Sequence, residues 1–302
     1  MDNKVITMEK AISQFVNEGD TVFFGGMHHG EPSAAIHEIL RQRIKRLTVI
    51  PTLTQGVSFL IGEGLVEKLV HGFTGALYER YSTAGNKAKR NNTYPAQDEY
   101  SHFGLCMGLL AGSMGIPFMA TRTTVGGDFL KWNPQVKLIE CPFSGERIGV
   151  VRAINPDVGI CHVQKADALG NAQRWGTLGM DRMGLHASEK VIISTERIVD
   201  TEEIRRDPNR TLIPGILVSA VVEEPWGAFP THLAGTYESY AFNLLREIVT
   251  EEGYETYMRE YIYGVSNWQQ YIKKMKEQKG EDFFDKLTIE NPIWSEPVKS
   301  GH

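Results

Sequence analysis

Along the first 130 residues the apolar positions switch between a helical period and short β-branched runs. Residues 8–17 place Ala11, Ile12, Phe15 and Val16 on one side of a helix that Gly19 closes. Residues 21–24 then form a strand running straight into Gly25 and Gly26. Pro32 suits the first turn of a second helix, whose stripe is Ile36, Ile39 and Leu40. Strands follow at residues 47–50 and, after the segment 60–69, at 70–73. A run of small and apolar residues, 105–115, precedes a strand at 116–120, whose turn holds Gly126 and Gly127. Such βαβα alternation with short connections predicts an α/β fold: an open, mostly parallel sheet with helices on both faces.

The second half is less regular. Residues 148–153 and 158–162 read as paired strands, 167–171 as a turn, and 191–194 and 216–222 as further strands. From Tyr240 aromatic and charged residues fall in helical phase, and a polar tail begins at 278–280. The expected division is an α/β domain over 1–239 and a helical extension with tail over 240–302.

The chain has 302 residues, 41% hydrophobic and 23% charged, with a net charge of −5 spread along its length. Nothing in that balance points to nucleic acid. No stretch approaches the ~18 consecutive apolar residues of a membrane helix. The first fifteen residues lack an apolar run before a small-residue cleavage site, so a cytoplasmic location is expected. Cys106, Cys141 and Cys161 are odd in number, lack CxxC spacing and read as structural free thiols.

Ligands of doubly wound sheets bind at the carboxyl ends of the strands. Those ends are expected at Gly25-Gly26, at 52–56 with Gln55, at 74–76, and at 121–127 with Gly126 and Gly127. Four Gly- or Thr-rich segments at equivalent positions point to one site. Asp98, Glu99, Ser101 and His102 stand directly before a helix, where backbone N–H groups and polar side chains stabilise a developing anion. An enzyme acting on an acyl compound is the expectation. Ser101 is expected to cap that helix, and Glu99 either favours its dipole or touches substrate. Arg122 pairs with a substrate carboxylate or a structural acid. His28 and His29 are expected to touch substrate or face solvent; neighbours on an extended loop point apart, so no metal site is read there.

Several stretches carry a resemblance. They are residues 19–26 (GDTVFFGG), 38–42 (EILRQ), 60–64 (LIGEG), 98–101 (DEYS), 115–118 (GIPF), 202–208 (EEIRRDP), 213–215 (IPG) and 220–230 (AVVEEPWGAFP). From about residue 8 to 268 the chain resembles the A-type (α) component of glutaconate CoA-transferase-type enzymes, within the family I CoA transferases. The resemblance implies CoA and acyl-CoA as substrates, no permanently bound cofactor, and a role in catabolism. It also implies a partner B subunit in an A2B2 or larger hetero-oligomer. In that family a glutamate carboxylate attacks the thioester and becomes a glutamyl-CoA, and in two-subunit members it lies on the B subunit. Glu63, in a Gly-Glu-Gly setting, is accordingly expected to be a solvent-facing turn residue and not the nucleophile. His162 with Asp167 and Asn171 is expected to be structural, and His232 to lie in a loop touching the B subunit.

Two departures stand out. The glycine loop is shorter than usual in the family and carries Glu31. His102 occupies the position at which transferases typically carry a glutamine whose amide donates to the thioester oxyanion. Related ring-cleaving hydrolases carry a carboxylate there. A neutral imidazole donates one N–H and also accepts a proton near neutral pH. His102 is therefore the expected catalytic residue of this chain. Two alternatives stay open: a CoA-ester hydrolase of the same fold, including the C–C ring-cleaving type, and a binding module without chemistry.

Overall fold

The computed structural model describes residues 3–73 and 82–290. Among the described residues twelve strands form: β1 Thr21–Phe24, β2 Leu47–Pro51, β3 Val66–His71, β4 Ala96–Glu99, β5 Phe118–Thr121, β6 Val136–Glu140, β7 Arg147–Arg152, β8 Val158–Asp167, β9 Ala172–Gln173, β10 Lys190–Val199, β11 Thr211–Ile213 and β12 Ala220–Glu223. Seven of them run mutually parallel in the order β12-β10-β8-β1-β2-β3-β4, with the short β9 and β11 attached beside β8. The expected open parallel sheet is what forms.

The first five helices are α1 Met8–Phe15, α2 Ser33–Gln42, α3 Val57–Gly62, α4 Thr83–Arg90 and α5 His102–Ser113. The central strands β1, β2 and β8 are buried on both faces, whereas the edge strand β4 is mostly exposed, and the residues of the buried strands divide between two cores. Val22, Phe24 and Ile160 pack with Ile12, Ile36 and Ile39 of α1 and α2; Phe23 and Cys161 pack on the other side with Leu105 and Leu109 of α5. The helices after residue 240, Ala241–Glu247, Glu251–Tyr257, Trp268–Lys279 and Phe283–Leu287, send Leu244, Tyr254, Trp268, Met275 and Phe284 into the first of these cores. The segment read as a polar tail from 278 is thus corrected: a last helix docks there, with Phe284 2% exposed.

Three further expectations are corrected. Residues 148–153 and 158–162 do not pair, because β7 joins β5 and β6 in a separate three-stranded antiparallel sheet while β8 joins β1 and β10. The third strand spans 66–71, earlier than the expected 70–73. Residues 215–217 form a turn of 3-10 helix, so the last strand begins only at Ala220.

Candidate active site at the carboxyl edge of the sheet

The chain leaves β1 for β2, β3 and β4 on one side, then returns to β8, β10 and β12 on the other. β1 is therefore the topological switch point, the place at which doubly wound sheets generally bind their ligands beyond the strand ends. Gly25 and Gly26 sit there. Gly26 has φ +95°, and a Cβ on it would come within 2.7 Å of Glu31 Cα, so the loop folds back on itself over a residue that must lack a side chain. The fully buried Thr54 hydroxyl lies 3.1, 3.2 and 3.3 Å from the carbonyls of Phe24, Gly25 and Gly26, ready to donate to one of them.

A buried ion pair holds the loop from beneath. Arg174 Nη1 stands 2.9 Å from Asp181 Oδ2, both side chains 0% exposed. Asp181 Oδ1 accepts from the Gly26 amide at 2.9 Å, and Arg174 donates to the carbonyls of His29, Gly30 (3.5 Å) and His162 (3.1 Å). Burial pushes the Asp181 carboxyl up and the Arg174 charge pulls it back down. Cys161 beneath them receives Arg174 Nη1 at 2.8 Å, and its thiol is pushed up to about 12 by burial, which keeps it a thiol. Local patterning gives no sign of this pair, since Arg174 and Asp181 lie far along the chain from the glycines they support.

Glu31 closes the loop. It is 1% exposed, its Oε2 accepts from the Gly56 amide at 3.2 Å, and its own amide donates to Thr231 Oγ1 at 3.2 Å. Burial pushes its carboxyl up to about 8, against the pull of the Gln55 and Gly56 amides, so it is largely protonated at neutral pH. The acid that departs from the family pattern is thus a neutral structural group and no gripping charge.

The two loop histidines part company. His28, at φ +56°, is half-buried, with Nδ1 3.0 Å from Gln55 Nε2, which joins the ends of β1 and β2. His29 is 1% exposed: its ring stacks on His232 at 4.8 Å, Nδ1 lies 3.2 Å from the His232 carbonyl and Nε2 3.1 Å from that of Trp175. Burial, and then the Arg174 charge, pushes His29 down to about 4. Burial lowers His28 and His232 also. All three rings are neutral at pH 7. His29 is therefore internal to the protein, which corrects the reading that both histidines face substrate or solvent.

Beyond β4, Ser101 caps α5, its Oγ accepting from the Gly104 amide at 2.9 Å, as expected. His102 opens that helix half-buried, and burial lowers its pKa, so it is a neutral imidazole. Its backbone backs onto Gly72 after β3, where a Cβ would come within 2.7 Å of His102 Cα. Strand ends β1, β2, β3 and β4 thus present, in spatial order, Gly25-Gly26, Gln55, Gly72 and Ser101-His102. At ~4.8 Å per strand spacing this row is about 14 Å long.

The other expected site residues lie elsewhere. The loop at 121–127 follows β5 of the second sheet, so it is not a fourth end of the parallel sheet; Gly126 and Gly127 are exposed there, and the region 74–76 falls outside the described residues. Arg122 is held by Glu146, Nε to both carboxylate oxygens at 3.1 Å and Nη2 at 2.9 Å, which identifies the structural acid. Glu99 is exposed at the end of β4, its carbonyl accepting from Asn133 Nδ2 at 2.8 Å, and with Gln97, Asp128 and Trp132 it lines an open cavity of about 420 Å³. Glu63 is not solvent-facing: it bonds Lys87 at 2.7 Å and Tyr263 at 2.8 Å, with 9% of its side chain exposed. His162 is fully buried between Ser194 Oγ (2.9 Å) and Glu196 Oε1 (2.7 Å).

The chain matches the family model described as "Coenzyme A transferase" over residues 5–224. It is 34% identical over 284 residues to the A-type component of the 3-oxoadipate CoA-transferase of Pseudomonas knackmussii, covering 91% of this chain and 99% of that one. The cholesterol ring-cleaving hydrolase IpdA subunit of Rhodococcus jostii is 26% identical, with 91% and 98% covered. The crystal structure of glutaconate coenzyme A-transferase from Acidaminococcus fermentans superposes with a TM-score of 0.85 at 28% identity, covering 95% of this chain and 96% of that one. A parallel sheet with its glycine loop at the switch point, and relatives aligned over nine-tenths of the chain, place this protein in the coenzyme A transferase family, as a transferase subunit of the A type.

Proposed function

We propose that this chain supplies the oxyanion-stabilising half of an active site whose nucleophile comes from a B-type partner. The observation that carries the reading is the row of neutral donors along one sheet edge. His28 with Gln55, and His102 at the Ser101-capped start of α5, offer N–H groups where a thioester carbonyl gains charge. Two carboxylates that the sequence brings to notice are committed elsewhere: Glu31 is buried and largely neutral, and Glu63 is engaged by Lys87 and Tyr263.

In this reading the partner's glutamate oxygen attacks the acyl-CoA thioester carbon. The C–S bond breaks, the CoA thiolate leaves, and an acyl-glutamyl anhydride remains. The thiolate then attacks the glutamyl carbonyl of the anhydride, releasing the first acid as its carboxylate and leaving glutamyl-CoA. An acceptor carboxylate reverses the two steps and departs as the new acyl-CoA. Each tetrahedral oxyanion needs preplaced donors, which the neutral imidazole of His102 can supply without losing a proton. The acids exchanged, a catabolic setting, a cytoplasmic location and an A2B2 or larger assembly belong to the same reading.

Purified alone, the chain should show no CoA transfer; with the B-type subunit of the same organism it should exchange CoA between an acyl-CoA and a carboxylic acid. Borohydride or hydroxylamine should trap the activated glutamate on the B subunit. Transfer by this chain alone at ordinary enzymatic rates, or CoA attached to Glu63, would overturn the division of roles. Consumption of the CoA ester with no acceptor and no trapped adduct would identify a hydrolase instead.

A further inference from the structure

The three-stranded sheet β5-β7-β6 has an inner face and an outer face, and its register tells which residues share each. Directly opposed residues of antiparallel strands lie on one face. Val136 opposes Val151, which opposes Met119; Val136 and Val151 are 4% and 0% exposed and belong to the core beneath α5. The other face carries Phe118, Ala120, Ile148, Val150 and Ile139, in register across all three strands. Phe118 is 44% and Ile139 37% exposed, and Phe143 in the β6–β7 turn is 97% exposed. An antiparallel sheet that faces water is expected to alternate apolar-in and polar-out. This one is apolar on both faces.

The charged residues that the paired strands place on the outer face are of one sign. Lys137 opposes Val150 and is exposed; Arg152 opposes Phe118, its side chain also lining the cavity it shares with Lys68, Asp98 and Tyr100; and no carboxylate of the three strands shares that face. A twofold contact would bring this patch against itself, apolar on apolar but cation towards cation. The charge therefore favours a different chain with acidic groups around an apolar patch. Position agrees: β5 continues through residues 121–132 to Asn133, whose side chain grips the Glu99 carbonyl next to Ser101 and His102. A partner seated on this face lies beside the carboxyl edge of the main sheet.

We infer that the outer face of β5-β7-β6 is a docking surface for the B-type subunit, met by an apolar patch ringed with carboxylates. The inference rests on the proposed function, because it takes that partner as given.

The test uses the full chain co-expressed with the B-type subunit of the same organism. Phe118→Asp and Lys137→Glu are each made, with folding checked by circular dichroism and the isolated chain sized by gel filtration. Phe118→Asp should weaken association on the order of 100-fold, the size of a lost hot spot, and Lys137→Glu by a smaller, salt-dependent factor. In the wild-type pair, amide exchange in residues 118–121 and 136–140 should slow on binding. Unchanged affinity in both folded variants with unchanged exchange would overturn the surface while leaving the proposed function intact. A self-dimer of the isolated chain that Phe118→Asp dissociates would replace the B-type subunit with a second copy. If the wild-type chain does not bind the B-type subunit, the result would instead count against the proposed function.

Discussion

Arg174 and Asp181 meet at 2.9 Å with neither side chain exposed, and both also hold the glycine loop, Asp181 by the Gly26 amide and Arg174 by the carbonyls of His29 and Gly30. A buried pair of this kind gains little net stability over an apolar one, but removing one partner strands a charge. Its role here is to fix where the backbone of residues 26–30 lies.

Arg174→Leu should therefore destabilise the fold by about 3–5 kcal/mol, the usual size for a broken buried pair. Urea denaturation of the isolated chain measures it. A cost below about 1 kcal/mol would show that the loop does not depend on the pair.

The glycines at the two proposed loops should behave differently. Gly26→Ala places a Cβ 2.7 Å from Glu31 Cα at φ +95°, so the backbone must move and activity with the partner should collapse. Gly126 has nothing within 4 Å of a Cβ, and Gly126→Ala should leave stability within about 0.5 kcal/mol. Equal losses in both variants would return the 121–127 loop to the centre of the site.

Glu31 makes stability depend on pH in a stated direction. Its folded pKa, about 8, lies above the ordinary 4.5, so the folded state binds the proton more tightly. The benefit is full below pH 4.5 and is lost progressively as pH rises to 8, where the buried carboxylate must ionise. The Glu31→Gln variant, a neutral group of the same shape, should flatten that decline between about pH 5 and 8. Parallel pH–stability curves for the two proteins would place the proton elsewhere.

His102 separates two chemistries. If its neutral imidazole donates to the oxyanion, His102→Gln should keep much of the transfer activity, and His102→Ala should lose on the order of 10²–10³-fold in turnover. If it accepts a proton, glutamine should fail as badly as alanine, and the acidic limb of the pH–rate profile, which lies below the ordinary histidine value because burial lowers its pKa, should vanish. Wild-type rates in both variants would leave His102 as a helix-start residue alone.

Local chemistry made much of this molecule legible in advance. The α1 stripe, the short strand entering Gly25-Gly26, the Ser101 cap and the 167–171 turn each depend on residues within a few positions of one another, so period and turn chemistry suffice. Which strands pair is another matter. β7 holds Ile148, Val150 and Val151 and β5 is as apolar as the parallel strands, and only non-local hydrogen bonds assign them to a second sheet, taking the 121–127 loop with them. Side-chain burial is equally non-local. His29 and Glu31 look like polar loop residues until Arg174, Trp175 and Thr231 close over them, and Glu63 looks exposed until Lys87 and Tyr263 arrive. The chain's local pattern was enough for the parallel fold and for the sheet edge at which the site is proposed. The tertiary structure decided which polar groups at that edge remain available, because desolvation and pairing depend on neighbours that the chain brings from more than a hundred residues away.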